Sequence, residues 1–288
     1  MQIGMLFDRV AAEEKLLIEA FKKKNVEVEM IDIRKVQLHL NEPDPWQRFD
    51  VVFDRSVSFS KALATVQVLN GWDIPTVNFA SVVEVCGNKL ATSVALEKNK
   101  IATPKVIIAY TADAAIEAME SLGYPVVMKP AIGSWGRLLS KINDRDAAET
   151  ILEHKSTLGS FNHGVFYIQE FVTKRDSCDI RSFVVDGETI CAISRNSKHW
   201  ITNTARGATT ANCEVTDEIA ALSEAAAAAV GGGLLAIDLF QSEDGTWVVN
   251  EVNHSMEFRN SIEPTGVDIP EKMVEFIIKV GSGAVATA

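Results

Sequence analysis

The chain is short of the residues that many catalytic sites depend on. Only 4 cysteines and 5 histidines occur among 288 residues. Cys86, Cys178, Cys191 and Cys213 never fall in a C-x-x-C pair. They therefore read as small core residues of a reducing compartment, not as a zinc site or a disulfide frame. His39, His154 and His163 are scattered, and neither His199 nor His254 stands with a serine or cysteine in a nucleophile arrangement. G-x-S-x-G and H-E-x-x-H are both missing, which excludes the serine-hydrolase elbow and the zincin helix. G-x-G-x-x-G and G-x-x-x-x-G-K-[ST] are missing too, so two common phosphate loops are gone. The longest apolar run, residues 225–237, is shorter than the roughly 20 residues of a membrane helix and is broken by Gly231, Gly232 and Gly233. The start MQIGMLFDRV carries no basic segment ahead of a long apolar stretch. A soluble, cytoplasmic protein without a secretory leader is expected.

Positive charge is also scarce. Against 28 basic residues stand 39 acidic ones, a net charge of −11. Such a chain repels a phosphate backbone, so non-specific nucleic-acid binding is excluded, although a local basic pocket is not. What remains is ordinary globular composition, 47% hydrophobic and 23% charged, long enough for roughly two or three structural units.

Residues 1–80 alternate strand and helix patterns. Apolar runs at 2–7, 26–33, 50–54 and 74–79 read as strands, and 13–24 and 61–71 as helices. That order predicts a parallel sheet covered on both faces, Rossmann-like but without the dinucleotide loop. Pro43 and Pro45 make 41–45 a loop. Beyond residue 87 the rhythm changes. Strands are expected at 104–110, 124–129, 137–141 and 165–171, and helices at 113–122, 144–155 and 216–230. Two hairpins centre on Asp186-Gly187 and Asp244-Gly245, dipeptides that tolerate positive φ. The fold class is α/β followed by α+β, with units at 1–87, 88–172 and 173–288.

The second hairpin carries the most chemistry. A two-residue turn at 244–245 sets Asp238 directly opposite Glu251 and places Asn253 on the same face. Opposed carboxylates repel and need a cation. Three oxygen donors without histidine or cysteine suit Mg²⁺, which completes its shell with water and substrate phosphates. A solvated acidic face is the alternative, but Asp238 lies within an apolar run and calls for a partner. Candidate phosphate ligands lie upstream. Lys129 ends a strand that is apolar on both faces, the loop Gly133-Ser134-Trp135-Gly136-Arg137 lets backbone N–H groups approach an anion, and Lys89 opens a helical stretch. Gln169, Glu170, Phe171 and Val172 end a buried strand and could offer backbone groups to an adenine edge. Arg181, Arg195 and Arg206 are further cations suited to a carboxylate or its phosphorylated form, or else ordinary ion pairs.

In this order the pieces resemble the ATP-grasp fold with an N-terminal preATP domain, over nearly the whole chain. Three segments look like the LysX-type ligases, kin of RimK-type glutamate ligases. They are Lys129-Pro130 with the glycine loop 133–137, Trp200 to Gly207, and Asn250 to Asn260. Ala208 departs from the second glycine expected after Arg206-Gly207. The resemblance implies an ADP-forming ligase that uses ATP and Mg²⁺, two ions, in amino-acid biosynthesis. It joins the α-amino group of 2-aminoadipate to the C-terminal glutamate carboxylate of a small acidic carrier protein of the LysW type, through an acyl phosphate, in lysine biosynthesis. Asp238, Glu251 and Asn253 would hold metal, and Lys89, Lys129, residues 133–137 and 169–172 would hold ATP. Arg206, Arg195 and Asn203 would lie at the reacting centre. The same reaction with glutamate, for arginine biosynthesis, differs by one methylene, worth only ~1–3 kcal/mol of discrimination. A glutamate ligase acting on a protein tail and a non-catalytic ATP-binding module remain alternatives. Homo-oligomers are common in such families. The acidic carrier would need a local basic patch, with Arg137, Arg206 and Arg259 as its candidates.

Overall fold

A computed structural model describes residues 1–133, 138–158, 164–202 and 207–284. Three sheets follow one another. The first contains β1 (Ile3–Phe7), β2 (Val28–Asp32), β3 (Val51–Asp54) and β4 (Thr76–Val77), all parallel in the order β2-β1-β3-β4. The expected strand at 74–79 is only two residues long. α1 (Ala12–Lys23) and α2 (Phe59–Gly71) connect these strands. α1 buries Leu17, Ala20 and Phe21 at helical spacing. Its first turn holds Glu13 and Glu14 and its last Lys22 and Lys23, the charge order a helix dipole favours.

α3 (Ala80–Gly87) and α4 (Lys89–Lys98) lead to the second sheet. It comprises β5 (Val106–Ala109), β6 (Val126–Lys129), β7 (Ser140–Ile142) and β8 (Phe166–Glu170), antiparallel in the order β5-β8-β6-β7. α5 (Ala112–Leu122) and α6 (Arg145–Leu158) cover one face. Val126, Met128 and Ile168 pack beneath them. By strand alternation Val127, Lys129, Tyr167 and Gln169 point to the other face.

The third sheet is β9 (Cys178–Val185), β10 (Glu188–Asn196), β11 (Thr209–Cys213), β12 (Leu234–Gln241) and β13 (Trp247–Asn253), antiparallel in the order β11-β10-β9-β12-β13. α7 (Asp217–Ala229) enters it, and α8 (Arg259–Thr265) and α9 (Ile269–Gly281) follow. Both faces of this sheet are buried. Leu235, Ile237 and Leu239 join the core under α7, while Leu234, Ala236 and Phe183 join that of the first sheet. α9 completes this second core with Met273, Val274, Ile277 and Val280. The sequence readings above leave α3, β11, α8 and α9 unassigned. For α9 a signal exists: Asp268 caps the helix, Pro270 stands in its first turn, and Ile269, Met273, Val274, Ile277 and Val280 repeat at helical spacing.

The two hairpins differ. Val185 pairs with Glu188, so Asp186 and Gly187 form the expected two-residue turn, both at positive φ. In the second, Gln241 pairs with Trp247, and residues 242–246 form a longer loop. There Asp244 Oδ1 accepts from Ser242 Oγ and the Thr246 amide. A bulge follows between Asp238 and Leu239. The longer loop and the bulge cancel, and Asp238 still pairs with Glu251 and Ala236 with Asn253.

Candidate active site

A cleft of about 360 Å³ lies between the free face of the second sheet and the ionic end of the third. Of the candidates among the described residues, Lys89, Lys129, Gly133, Gln169, Phe171, Val172, Arg195, Asp238, Glu251 and Asn253 all line it. Glu170 does not; its carboxylate accepts the Lys105 amide at 2.7 Å. Ser134, Trp135, Gly136, Arg137, Asn203 and Arg206 lie outside the described residues.

Strand alternation builds the floor. Asp179, Arg181 and Phe183 share one face of β9, and Asp238 pairs with Arg181 as Ala236 pairs with Phe183. The apolar core thus turns ionic along the strands. Arg181 grips Asp238 with two hydrogen bonds, 2.8 and 2.9 Å. Arg195 grips Asp179 likewise, 2.7 and 2.9 Å, and reaches Asp238 at 3.1 Å. Burial opposes the Asp238 charge, but Arg181 and Arg195 outweigh it and hold the carboxyl far below its usual range. Burial likewise opposes the Arg195 cation, and Asp238 and Asp179 overcome it. Asp238 therefore has its compensating cations inside the protein, as its apolar run requires.

The roof supplies lysines. The Lys129 ammonium is buried and donates to Asn250 Oδ1 at 2.9 Å. Desolvation lowers its pKa to about 8, Lys89 adds to this, and Glu251 partly offsets it. Lys89 follows Asn88, whose side chain caps α4. Its ammonium bridges Glu251 Oε1 at 3.0 Å and the Gly133 carbonyl at 2.7 Å, joining the glycine loop to β13. A third lysine escaped the sequence reading. Lys174 donates to Thr202 Oγ1 at 2.8 Å, and Thr202 donates to Asp179. The D-I-R alternation at 179–181 was the available signal for the Asp179–Arg181 face. Among the described residues, seven basic and six acidic side chains line the cleft, a local balance opposite to the net −11 of the chain.

His254 is half-buried beside Phe59, and desolvation with the nearby Arg55 charge lowers its pKa to about 4. It is neutral at physiological pH. The four cysteines are free thiols, Cys86 and Cys191 buried and the other two half-buried. Among the described residues no three His, Cys, Asp or Glu side chains cluster as a metal cage. Glu251, Asn253 and Asp238 nevertheless make an all-oxygen donor set, the chemistry of a hard divalent cation, although Asp238 is held by Arg181 and Arg195 and Glu251 Oε1 by Lys89. No described helix is long and apolar enough to cross a membrane.

Paired lysines stand above an acidic strand pair in a cleft between two antiparallel sheets, the arrangement the ATP-grasp resemblance leads one to expect. The comparisons agree. Residues 3–85 match the LysX preATP-grasp domain and residues 86–277 the RimK-like ATP-grasp domain. The chain therefore belongs to the RimK-like ATP-grasp family, and it is an ATP-dependent, ADP-forming carboxylate–amine ligase of amino-acid biosynthesis. It is 33% identical over 279 residues to the glutamate–LysW ligase ArgX of Sulfurisphaera tokodaii, covering 96% of this chain and 98% of that one. To the α-aminoadipate–LysW ligase LysX of Saccharolobus solfataricus it is 35% identical over 264 residues, covering 91% and 96%. A RimK-domain ATP-grasp protein of Sphaerobacter thermophilus superposes with a TM-score of 0.81 at 25% identity, covering 96% of this chain and 100% of that chain.

Proposed function

We propose that the protein joins the α-amino group of 2-aminoadipate to the C-terminal glutamate carboxylate of a small acidic amino-group carrier protein, in the cytoplasm, for lysine biosynthesis. The observation that carries this reading is the cleft in which Lys89 and Lys129 face Asp238 and Glu251. Likeness to LysW ligases along nearly the whole chain supplies the substrate class. A carboxylate oxygen of the carrier attacks the γ-phosphorus of ATP, and ADP leaves. The amine then attacks the acyl carbon, loses a proton, and phosphate departs. Lys89 and Lys129 hold the α/β-phosphates, and the loop 133–137 covers the β/γ-phosphates and excludes water from the acyl phosphate. The 169–172 strand end receives the adenine. Arg206 stabilises the oxyanion, and Asn203 is a further candidate for the reacting centre. Arg195, committed to two carboxylates, keeps Asp238 ionised and in place. Glu251, Asn253 and Asp238 would hold Mg²⁺, which when bound neutralises charge on the phosphate oxygens.

The test is to incubate the protein with ATP, the carrier and either amino acid, then weigh the carrier. A gain corresponding to 2-aminoadipate is expected. A gain only with glutamate would move the reading to the ArgX-type reaction, which the comparable likeness to that ligase favours as the second choice. Loss of turnover with an intact fold is expected for Glu251→Ala, checked by ADP release and circular dichroism. Full activity in that variant would refute the metal assignment.

A further inference from the structure

Residues 254–258 follow β13 directly, yet they lie in neither strand nor helix. Their backbone groups must find partners elsewhere, and side chains of the first layer supply several. Asn78, just past β4, donates to the His254 carbonyl at 2.8 Å. Arg55, just past β3, donates to the Met256 carbonyl at 2.9 Å and to Ser255 Oγ at 3.2 Å. Its remaining donors reach Glu13 at 2.8 Å and Glu14 at 3.2 Å, both in the first turn of α1. Glu13 in turn accepts the amides of Phe258 at 2.7 Å and Arg259 at 2.9 Å. One planar guanidinium, with a side chain only 5% exposed, therefore organises a clamp across 200 residues of chain.

The clamped segment is a wall of the cleft. His254, Ser255 and Glu257 line it immediately after Glu251 and Asn253. A buried ion cluster is a poor way to gain stability, since apolar residues of similar volume often do as well. Its distinct property is directional: a forked cation fixes several acceptors at once. We propose that Arg55 is a positioning residue for the ligation reaction, holding segment 254–259 and the exit of β13 in the arrangement the acceptor and amine require. Its kinetic consequences rest on the ligase reading; the clamp itself does not.

The experiment uses Arg55→Lys, which keeps the charge without the fork, and Arg55→Met, with melting curves to confirm folding. Amide exchange at Phe258 and Arg259 should accelerate about tenfold or more, while β9 and β12 stay protected. In wild-type and variant assays, kcat/KM for the amino acid should fall about tenfold to a hundredfold, the cost of misplacing reactants by an ångström or less. Affinity for a non-hydrolysable ATP analogue should stay within about threefold. In a folded Arg55→Ala variant, added guanidinium at a concentration that leaves the melting curve unchanged should partly restore kcat/KM, an effect a role in global stability alone would not produce. Unchanged exchange at residues 258 and 259 in the folded variants, or altered exchange with unchanged kcat/KM, would overturn the proposal. If the Arg55 variants do not fold, Glu13→Gln carries the same measurements, because it weakens the grip on both amides. A wild-type protein that ligates neither amino acid would remove the ligase reading, and the exchange data alone would then uphold or overturn the clamp.

Discussion

Lys129 is a single side chain whose surroundings set its charge. Its ammonium is buried without a carboxylate hydrogen-bonded to it, so folding lowers its pKa to about 8. Charging it costs the folded protein stability; that cost is fully present below pH 8 and is relieved as pH rises from there toward the unfolded value. An anionic phosphate would reverse the balance by favouring the charged form. Nucleotide affinity should therefore be highest below pH 8 and decline above it, measured with a non-hydrolysable analogue from pH 7 to 9.5. Lys129→Arg should flatten this profile, and a flat wild-type profile would remove Lys129 from the phosphate contacts. Asp54 makes the opposite demonstration. Burial raises its pKa to about 6, partly opposed by Ser56. The folded state binds the proton more tightly, so stability falls as pH rises from about 4 to 6, and the cost, about 3 kcal/mol, is complete above that range. Asp54→Asn should then stabilise the protein at pH 8 and leave it nearly unchanged at pH 4, by denaturant titration. Equal effects at both pH values would contradict this.

At the scale of elements, the start of β12 is bound to the first layer through Asn78. Its amide exchanges hydrogen bonds with Leu234, donating at 2.7 Å and accepting at 2.7 Å. Gly233 makes room for it. A Cβ there would stand 2.2 Å from Asn78 Oδ1, and the backbone has a φ of +102°. Gly233→Ala should therefore destabilise by about 2 kcal/mol or more, from conformational strain and the displaced amide together. Removing the obstacle with Asn78→Ala should make the Gly233→Ala penalty smaller in the double variant, a non-additivity that melting curves would detect. The second hairpin teaches a related lesson about register. The Asp238–Glu251 pairing follows in the sequence reading from a two-residue turn at 244–245, which the chain does not make; the pairing holds only because the bulge offsets the longer loop. Neither the loop nor the bulge was legible, since an Asp-Gly pair serves a five-residue connection as readily as a two-residue turn.

For the whole molecule, charge is the dominant quantity. The chain carries −11 overall, but among the described residues its cleft is lined by slightly more basic than acidic side chains. An acidic carrier would meet repulsion at long range and attraction at the mouth, where exposed Arg259 borders an adjoining pocket of about 230 Å³. Within a Debye length, about 8 Å at physiological ionic strength, the local cations should dominate. On the proposed reading, kcat/KM for the carrier should fall as salt rises, with the amino-acid KM little changed. A rise with salt would mean that repulsion governs the encounter and would move the docking site elsewhere.

Local pattern alone determined the alternation of strands and helices in the first layer, the shift to antiparallel sheet after residue 87, and the sharing of one face by Glu251 and Asn253. Each follows from a period of two or of 3.6 along a continuous stretch. Tertiary structure decided which charges meet. The sequence marked Arg181, Arg195 and Asp238 as separate charges, and only the β9–β12 register makes them one ion network. Arg55 and Glu13 are unremarkable in their own neighbourhoods; they become a clamp when β3 and α1 close against the segment after β13. α9 has a local helical signature, but its place beside β3 depends on a long return to the first layer. Periodicity acts between neighbours in the chain, whereas these contacts join residues that only folding makes neighbours.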